Sequence, residues 1–261
     1  EATAGAIWAA HRRQPYDGII HLGDFTDGML SQDLCKAYAS VVLGDLRGIG
    51  PPVWVVLGNH DSNYFRRNTE RMSLAEQCAL YLGQNEARYH VDIEGHKLRL
   101  LFLDSFDHDE DLHYGYTPAC IAWTGERLAC LPEGWSAIVF AHVTPLTSQQ
   151  IWAKEIRGEA DMMAVLRAHG DKVLAFVNGH QHADILYNEE AFPLITVGCA
   201  KCEEETVHKP EGAFTPERAL HDKTRELWDI LVIDTEAKTL RFIRQGAGKD
   251  RMVKDGKAIW L

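Results

Sequence analysis

The chain has 261 residues, 46% of them hydrophobic and 25% charged, the composition of an ordinary globular protein long enough to bury a sizeable core. Its 27 basic and 38 acidic residues leave a net charge of −11, a field that repels nucleic-acid backbones and anionic lipid, so duplex nucleic acid is not an expected partner. No apolar run approaches the ~18 residues of a membrane helix.

In chain order, residues 1–13 carry Ile7, Ala10 and His11 at helical spacing. Ile19–Leu22 reads as a buried strand that runs into the loop Gly23-Asp24-Phe25-Thr26-Asp27-Gly28. A second helix is expected from Ser31 to Leu46, with Leu34, Ala37, Tyr38 and Val41 on one face, ended by Gly48, Gly50, Pro51 and Pro52. Val53–Leu57 is a second apolar strand, followed by Gly58-Asn59-His60-Asp61. Ser73-Leu74-Ala75-Glu76 is a capping-box pattern opening a helix with Ala75, Cys78, Ala79 and Leu82 on one face. Arg88–Ile93 and Leu98–Leu103 form a strand pair, so this half alternates strands and helices.

Asp104–Thr117 is acidic and aperiodic and reads as a long surface loop. Thr117-Pro118 caps a helix reaching Leu131, and Ala137–Ala141 is a strand ending at His142. Val143–Arg157 reads as a loop with a short helix, and Glu159–His169 as a helix stopped by Gly170. Val173–Val177 is a strand ending in Asn178-Gly179-His180-Gln181-His182, and Ile185–Tyr187 and Leu194–Val197 are short strands. Cys199–Glu226 is polar, with a short helix expected at Thr215-Pro216. Trp228–Ile233 and Thr239–Arg244 form a hairpin, and the tail after Gln245 mixes Gly, Lys and apolar residues. No composition break marks a linker, so a single domain over 1–261, with a C-terminal hairpin at about 228–244, is the expectation.

Six cysteines stand at positions 35, 78, 120, 130, 199 and 202. A chain this long needs no disulfides, so they read as thiols in a reducing, cytoplasmic compartment. The chain begins Glu1-Ala2-Thr3-Ala4-Gly5, as though already inside a helix, so its natural start, with any signal peptide, is expected upstream. Cys199-x-x-Cys202 has no second pair, and so is not read as a zinc or redox site. Gly246-Ala247-Gly248-Lys249-Asp250 departs from phosphate-loop spacing and reads as a plain turn. The acidic residues between Asp104 and Asp111 lack EF-hand order and read as solvated.

Four apolar strands thus end in polar turns, which present Asp24, Asn59 with His60, His142, and His180 with His182. Open α/β sheets place their ligands at such strand ends. Mixed imidazole, amide and carboxylate donors without thiolate suit transition metals such as Mn, Fe, Zn or Ni. A carboxylate shared by two cations holds them at the spacing an in-line phosphoryl displacement needs, and Asp24 is the natural bridge. His60 can pass a proton near neutral pH. Asp61 beside it is expected to accept from its other ring nitrogen and orient it.

Gly23-Asp24-Phe25-Thr26-Asp27-Gly28, Gly58-Asn59-His60-Asp61, His142 and Gly179-His180-Gln181-His182 resemble, in order and spacing, the motifs of the calcineurin-like metallophosphoesterases. The resemblance covers roughly residues 19–200. It implies an α/β fold, a two-sheet β-sandwich flanked by helices in four αββα layers. It implies two divalent or trivalent metal ions, with Asp24 bridging, Asn59, His142 and His180 on one ion and His182 on the other. His60 then resembles the catalytic His, with Asp61 beside it, in hydrolysis of a small phosphomonoester or phosphodiester by in-line attack of a metal-bound hydroxide. The family's first motif, Asp-x-His on the first strand, does not occur before Asp24, and that strand is expected upstream of this numbering. The alternative implied by the resemblance is a catalytically inactive binding or scaffold protein that keeps the fold.

Overall fold

A computed structural model describes residues 2–108, 112–152, 155–200, 210, 212–216 and 226–261. Asp109, Glu110 and Asp111 of the acidic loop, Cys202 and the helix expected after Pro216 lie outside the described residues. The chain forms two compact units, Glu1–Ala87 and Arg88–Leu261. Among the described residues, no helix is long and apolar enough to cross a membrane.

The first unit comprises α1 (Ala2–Arg13), β1 (Ile19–His21), α2 (Gln32–Arg47), β2 (Val53–Val55) and α3 (Leu74–Gln77). β1 and β2 pair in parallel, with His21 opposite Val55, so both strands end at the same level. Ser31 caps α2 by accepting from the Leu34 N–H at 3.4 Å. The buried face of α2 is Cys35, Ala39, Leu43 and Leu46. The stripe read from spacing faces outward instead, with Leu34, Tyr38 and Val41 each at least half exposed. Two apolar stripes of similar period run along this helix, and the core took the one carrying Cys35, Ala39, Leu43 and Leu46. Ser73 forms the expected capping box with Glu76. After Gln77 the chain widens into a π-helical turn, Cys78–Leu82, closed by Gly83 in the left-handed region at φ 67°. The wider winding buries Gln77, Cys78 and Tyr81 rather than the even helical stripe through Ala75 and Ala79. Cys35, Ala39, Leu43, Val55, Leu57, Met72, Cys78 and Tyr81 make one core.

The second unit carries β3 (Tyr89–Ile93), β4 (Leu98–Phe102), β5 (Phe106–Asp107), β6 (His113–Tyr114), α4 (Pro118–Ala129), β7 (Ser136–Ala141), α5 (Glu159–Ala168), β8 (Val173–Asn178), β9 (Ile185–Tyr187) and β10 (Leu194–Thr196). It then adds β11 (Leu227–Asp234), β12 (Thr239–Gly246), β13 (Arg251–Lys254) and β14 (Lys257–Trp260). A six-stranded sheet runs β3-β4-β7-β8-β10-β9, with β4, β7, β8 and β10 parallel. Every residue of β4, β7 and β8 is buried, which is why these strands read as unbroken apolar runs. α4 supplies Cys120, Ile121 and Leu128, and α5 supplies Met162, Met163 and Leu166, to the core formed with Leu101, Val139 and Phe176. The fold is thus of the mixed α/β class, a six-stranded sheet flanked by helices.

Two segments depart from the sequence reading. Asp104–Thr117 is not wholly a surface loop, because Phe106 and Tyr116 are buried in that core and β5 pairs with β6. The tail after Gln245 continues the hairpin into an antiparallel sheet, β11-β12-β13-β14. Asp255 and Gly256 take φ 52° and 72° between β13 and β14, the positive-φ turn that Asp-Gly favours. Asn188 ties this sheet to β9, donating to the Ala258 carbonyl at 2.9 Å and accepting from its N–H at 2.7 Å.

The observed faces of α2 predict opposite outcomes for two leucines. Leu43→Ala should cost about 2–5 kcal/mol in urea denaturation. Leu34→Ala on the exposed stripe should stay within about 0.5 kcal/mol of the parent. Similar losses at both positions would contradict the packing described.

Candidate functional site

In the first unit, the parallel pair β1 and β2 delivers two turns side by side. The Val56 N–H donates to the His21 carbonyl at 3.0 Å, which holds the strand ends together. The turn after β1 bends sharply, with Gly23 at φ 94° and Asp24 at φ 61°. A non-glycine residue in that region costs about 1–3 kcal/mol, and it persists only where its surroundings fix it. The Asp61 carboxylate does much of the fixing. It accepts from the N–H groups of Gly58 at 2.7 Å, Asp24 at 3.0 Å and Phe25 at 2.8 Å. In return the His60 N–H donates to Asp24 Oδ1 at 2.8 Å. The two turns are therefore stitched together by a buried carboxylate and by Asp24 itself. Asn59 is buried at the start of the short 3-10 turn Asn59–Ser62.

Gly58 is required here for space. A Cβ at this position would lie 2.2 Å from Asp24 Oδ1 and 2.4 Å from the Asp24 nitrogen. Tyr81 donates to the Asp61 carbonyl at 3.4 Å. Burial, and then the nearby Asp61 charge, push its phenol far above the ordinary range, so it stays a neutral donor.

The orientation of His60 differs from the expected one. Its Nδ1 lies 2.7 Å from the Asp27 carbonyl. A carbonyl can only accept, so Nδ1 carries the proton and Nε2 is left for chemistry. Asp24 Oδ2 stands 4.0 Å from that Nε2. The backbone of Asp27 thus takes the orienting part assigned to Asp61, and the Asp61 carboxylate orders backbone. The Asp27 side chain accepts from the Met29 N–H at 3.1 Å, as a loop stabiliser does. His21 is part of the same local frame, accepting from the Gly23 N–H at 3.1 Å and stacking on Phe25 at 3.8 Å.

In the second unit, the adjacent parallel strands β7 and β8 end in register, Ala141 opposite Asn178. The next residues are His142 and the Gly179-His180 turn, and the Gly179 N–H donates to the His142 carbonyl at 3.1 Å. The two imidazoles are consequently neighbours, with ring centroids 5.1 Å apart at 61°, and both are buried. His182 follows on the same turn, half-buried. His180 and His182 both hold positive φ, 67° and 51°. Between them Gln181 is fully buried. It donates to Gln150 Oε1 at 2.5 Å and accepts from the Ile151 N–H at 2.8 Å.

Several neighbours of this pair were not assigned roles from sequence. Tyr114 meets His180 edge-on at 4.9 Å, and Phe106 lies 6.0 Å from His142. Asp104, at the end of β4, receives His108 Nε2 at 2.9 Å. The one available signal for Asp104 was its place after an apolar strand, the same signal that marks His142. Cys120 donates to the Asp104 carbonyl at 3.4 Å, and burial pushes its thiol up to about 12, which leaves it inert.

A family model described as calcineurin-like phosphoesterase matches residues 2–184. No curated protein sequence matches the chain. Among solved structures, a dimetal phosphatase from Danio rerio is similar at a TM-score of 0.66 and 15% identity, over 97% of this chain and 88% of that one. GAP50, the anchor in the inner membrane complex of Plasmodium, is similar at 0.55 and 13% identity, over 99% and 78%. TT1561 of Thermus thermophilus is similar at 0.50 and 12% identity, over 92% of each chain. At these identities the likeness is one of fold.

The crowding at Gly58 makes a direct test. Gly58→Ala should destabilise the protein by about 1–3 kcal/mol, since the new methyl meets the Asp24 backbone nitrogen as well as its carboxylate, which the His60 N–H holds in place. Chemical denaturation reads this, and a change within about 0.5 kcal/mol would show that the Asp24 turn gives way freely.

Proposed function

Since the chain belongs to the calcineurin-like phosphoesterase family, we propose that it hydrolyses a small phosphomonoester or phosphodiester with the help of two bound metal ions. The observation that carries this reading is the pair of buried imidazoles, His142 and His180, set ring to ring at the ends of adjacent parallel strands. Burying two polar rings side by side is costly, and a shared cation is the group that most naturally offsets that cost. The donor set suits such an ion, because neutral imidazole and carboxylate together select Mn, Fe, Zn or Ni over harder cations.

In this reading the chain is a single metallophosphoesterase domain. Asp24, Asn59, His142, His180 and His182 would hold the ions, with Asp24 shared. When bound, the ions supply positive charge to the phosphoryl oxygens and make water a better nucleophile at neutral pH. The chain's own residues do the rest. The Asp27 carbonyl fixes the His60 tautomer with the proton on Nδ1, so Nε2 is the atom that takes up and delivers a proton to the leaving oxygen. Asp61 holds the Gly23–Phe25 and Gly58–His60 turns against each other, which keeps Asp24 and His60 in fixed relation. The substrate is a small phosphate ester, since a net charge of −11 disfavours long polyanions.

Purified protein should contain or take up transition metal by elemental analysis and hydrolyse bis-p-nitrophenyl phosphate or p-nitrophenyl phosphate. Chelation should abolish turnover and Mn2+ should restore it. Asp24→Asn and His60→Gln should each lower kcat by roughly 10²–10⁴-fold with little loss of stability. Parent-like turnover by either variant would remove that residue from the scheme. Absence of both metal and hydrolysis would favour a non-catalytic binding protein.

A further inference from the structure

The strained turn that carries His180 and His182 is followed two residues later by Asp184, and Asp184 sits in a closed set of four buried charges. Arg244 Nη2 donates to both its carboxylate oxygens, at 2.7 and 2.9 Å. Arg251 Nη1 donates to Oδ1 at 2.8 Å. The two guanidinium groups also share Asp229, through Arg244 Nε at 2.9 Å and through Arg251 Nη2. The side chains of all four are between 0% and 7% exposed. Asp229 faces Arg244 across the β11–β12 ladder, and Arg251 opens β13, so three members belong to the C-terminal sheet. Asp184 alone belongs to the segment that leaves the histidine turn.

Asp184 is held on its backbone as well. It exchanges two 2.8 Å hydrogen bonds with Phe214, and its Oδ1 accepts from the Gly198 N–H at 2.9 Å. On the other side of His182, Gln181 is pinned to Gln150 and Ile151. Positive φ at two closely spaced non-glycine positions persists only where the flanking chain cannot relax. The flanks are anchored here by one buried amide and one buried charge lattice. Four charges that neutralise one another contribute little net stability, yet they impose one geometry, because removing any partner strands the rest.

We propose that Arg244 and Arg251 are positioning residues for the His180–His182 turn: they clamp Asp184 so that both imidazoles keep the backbone geometry in which they are presented. The C-terminal sheet, outside the segment matched by the family model, is thereby a working part of the site. The metal consequence rests on the reading that these histidines are ligands, whereas the backbone consequence does not.

The test uses the full chain and two mild variants. Asp229→Asn keeps the shape but loosens both arginines without touching Asp184, and Arg251→Lys keeps the charge but loses the fork. Hydrogen–deuterium exchange without added metal should show lost protection in the peptide spanning 179–184, with β4 and β7 peptides unchanged. Titration with MnCl2 should show about tenfold weaker binding than the parent. Lost protection confined to β11–β13, with 179–184 and the Mn2+ affinity as in the parent, would overturn the proposal and leave the lattice a purely structural clamp. Should Arg251→Lys fail to fold, Asp229→Asn decides by the same two readings. If the parent binds no Mn2+ while exchange at 179–184 still rises in the variants, the positioning role stands and the metal reading falls.

Discussion

Parallel pairing of strands that end level with one another is the constraint on which this structure rests. A parallel ladder carries its chain in one direction, so whatever follows each strand emerges at the same edge. β7 and β8 finish at Ala141 and Asn178, directly opposite, and His142 and His180 are set side by side as a result. β1 and β2 do the same for the Asp24 and Asn59–Asp61 turns. Both faces of β7 and β8 are buried, so a register slip would cost the whole ladder, and the relative placement of the imidazoles is as firm as the core beneath them.

Part of the backbone strain sits where the polar side chains are presented. Asp24, His180 and His182 all hold positive φ, and each turn is stabilised by a buried polar group. Asp61 gathers three backbone N–H groups. Gln181 bridges to the 150–151 segment, and Asp184 enters the lattice of Arg244, Arg251 and Asp229. Buried hydrogen bonds of this kind are worth little against water when made and much when broken. They act as locks on geometry more than as sources of stability.

The distribution of chemistry follows the same logic. Cys120 and Tyr116 lie close to the β4 and β7 strand ends, but burial raises both groups out of the range in which they could ionise. Tyr116 instead donates to the Val143 carbonyl at 2.5 Å, steadying the backbone just past His142. Asp104 pairs with His108 at the β4 end of the sheet.

Sequence alone determined strands β1 to β4 and β7 to β12, the polar turns and the family resemblance, because buried parallel strands are unbroken apolar runs and Gly-Asp, Gly-Asn-His-Asp and Gly-His-x-His interrupt them sharply. It also carried, in Lys254-Asp255-Gly256-Lys257, a hairpin signal that the mixed composition of the tail obscured. Only the tertiary structure decided which stripe of α2 faces inward, since Leu34, Tyr38 and Val41 have the same helical period as Cys35, Ala39 and Leu43, and period says nothing about which side the neighbouring strand lies on. Only the tertiary structure assigned Asp27 rather than Asp61 to the His60 ring, and joined Asp184 to arginines 60 and 67 residues away. Contacts between side chains distant along the chain leave no periodic trace, so they become legible when the backbone has brought them together.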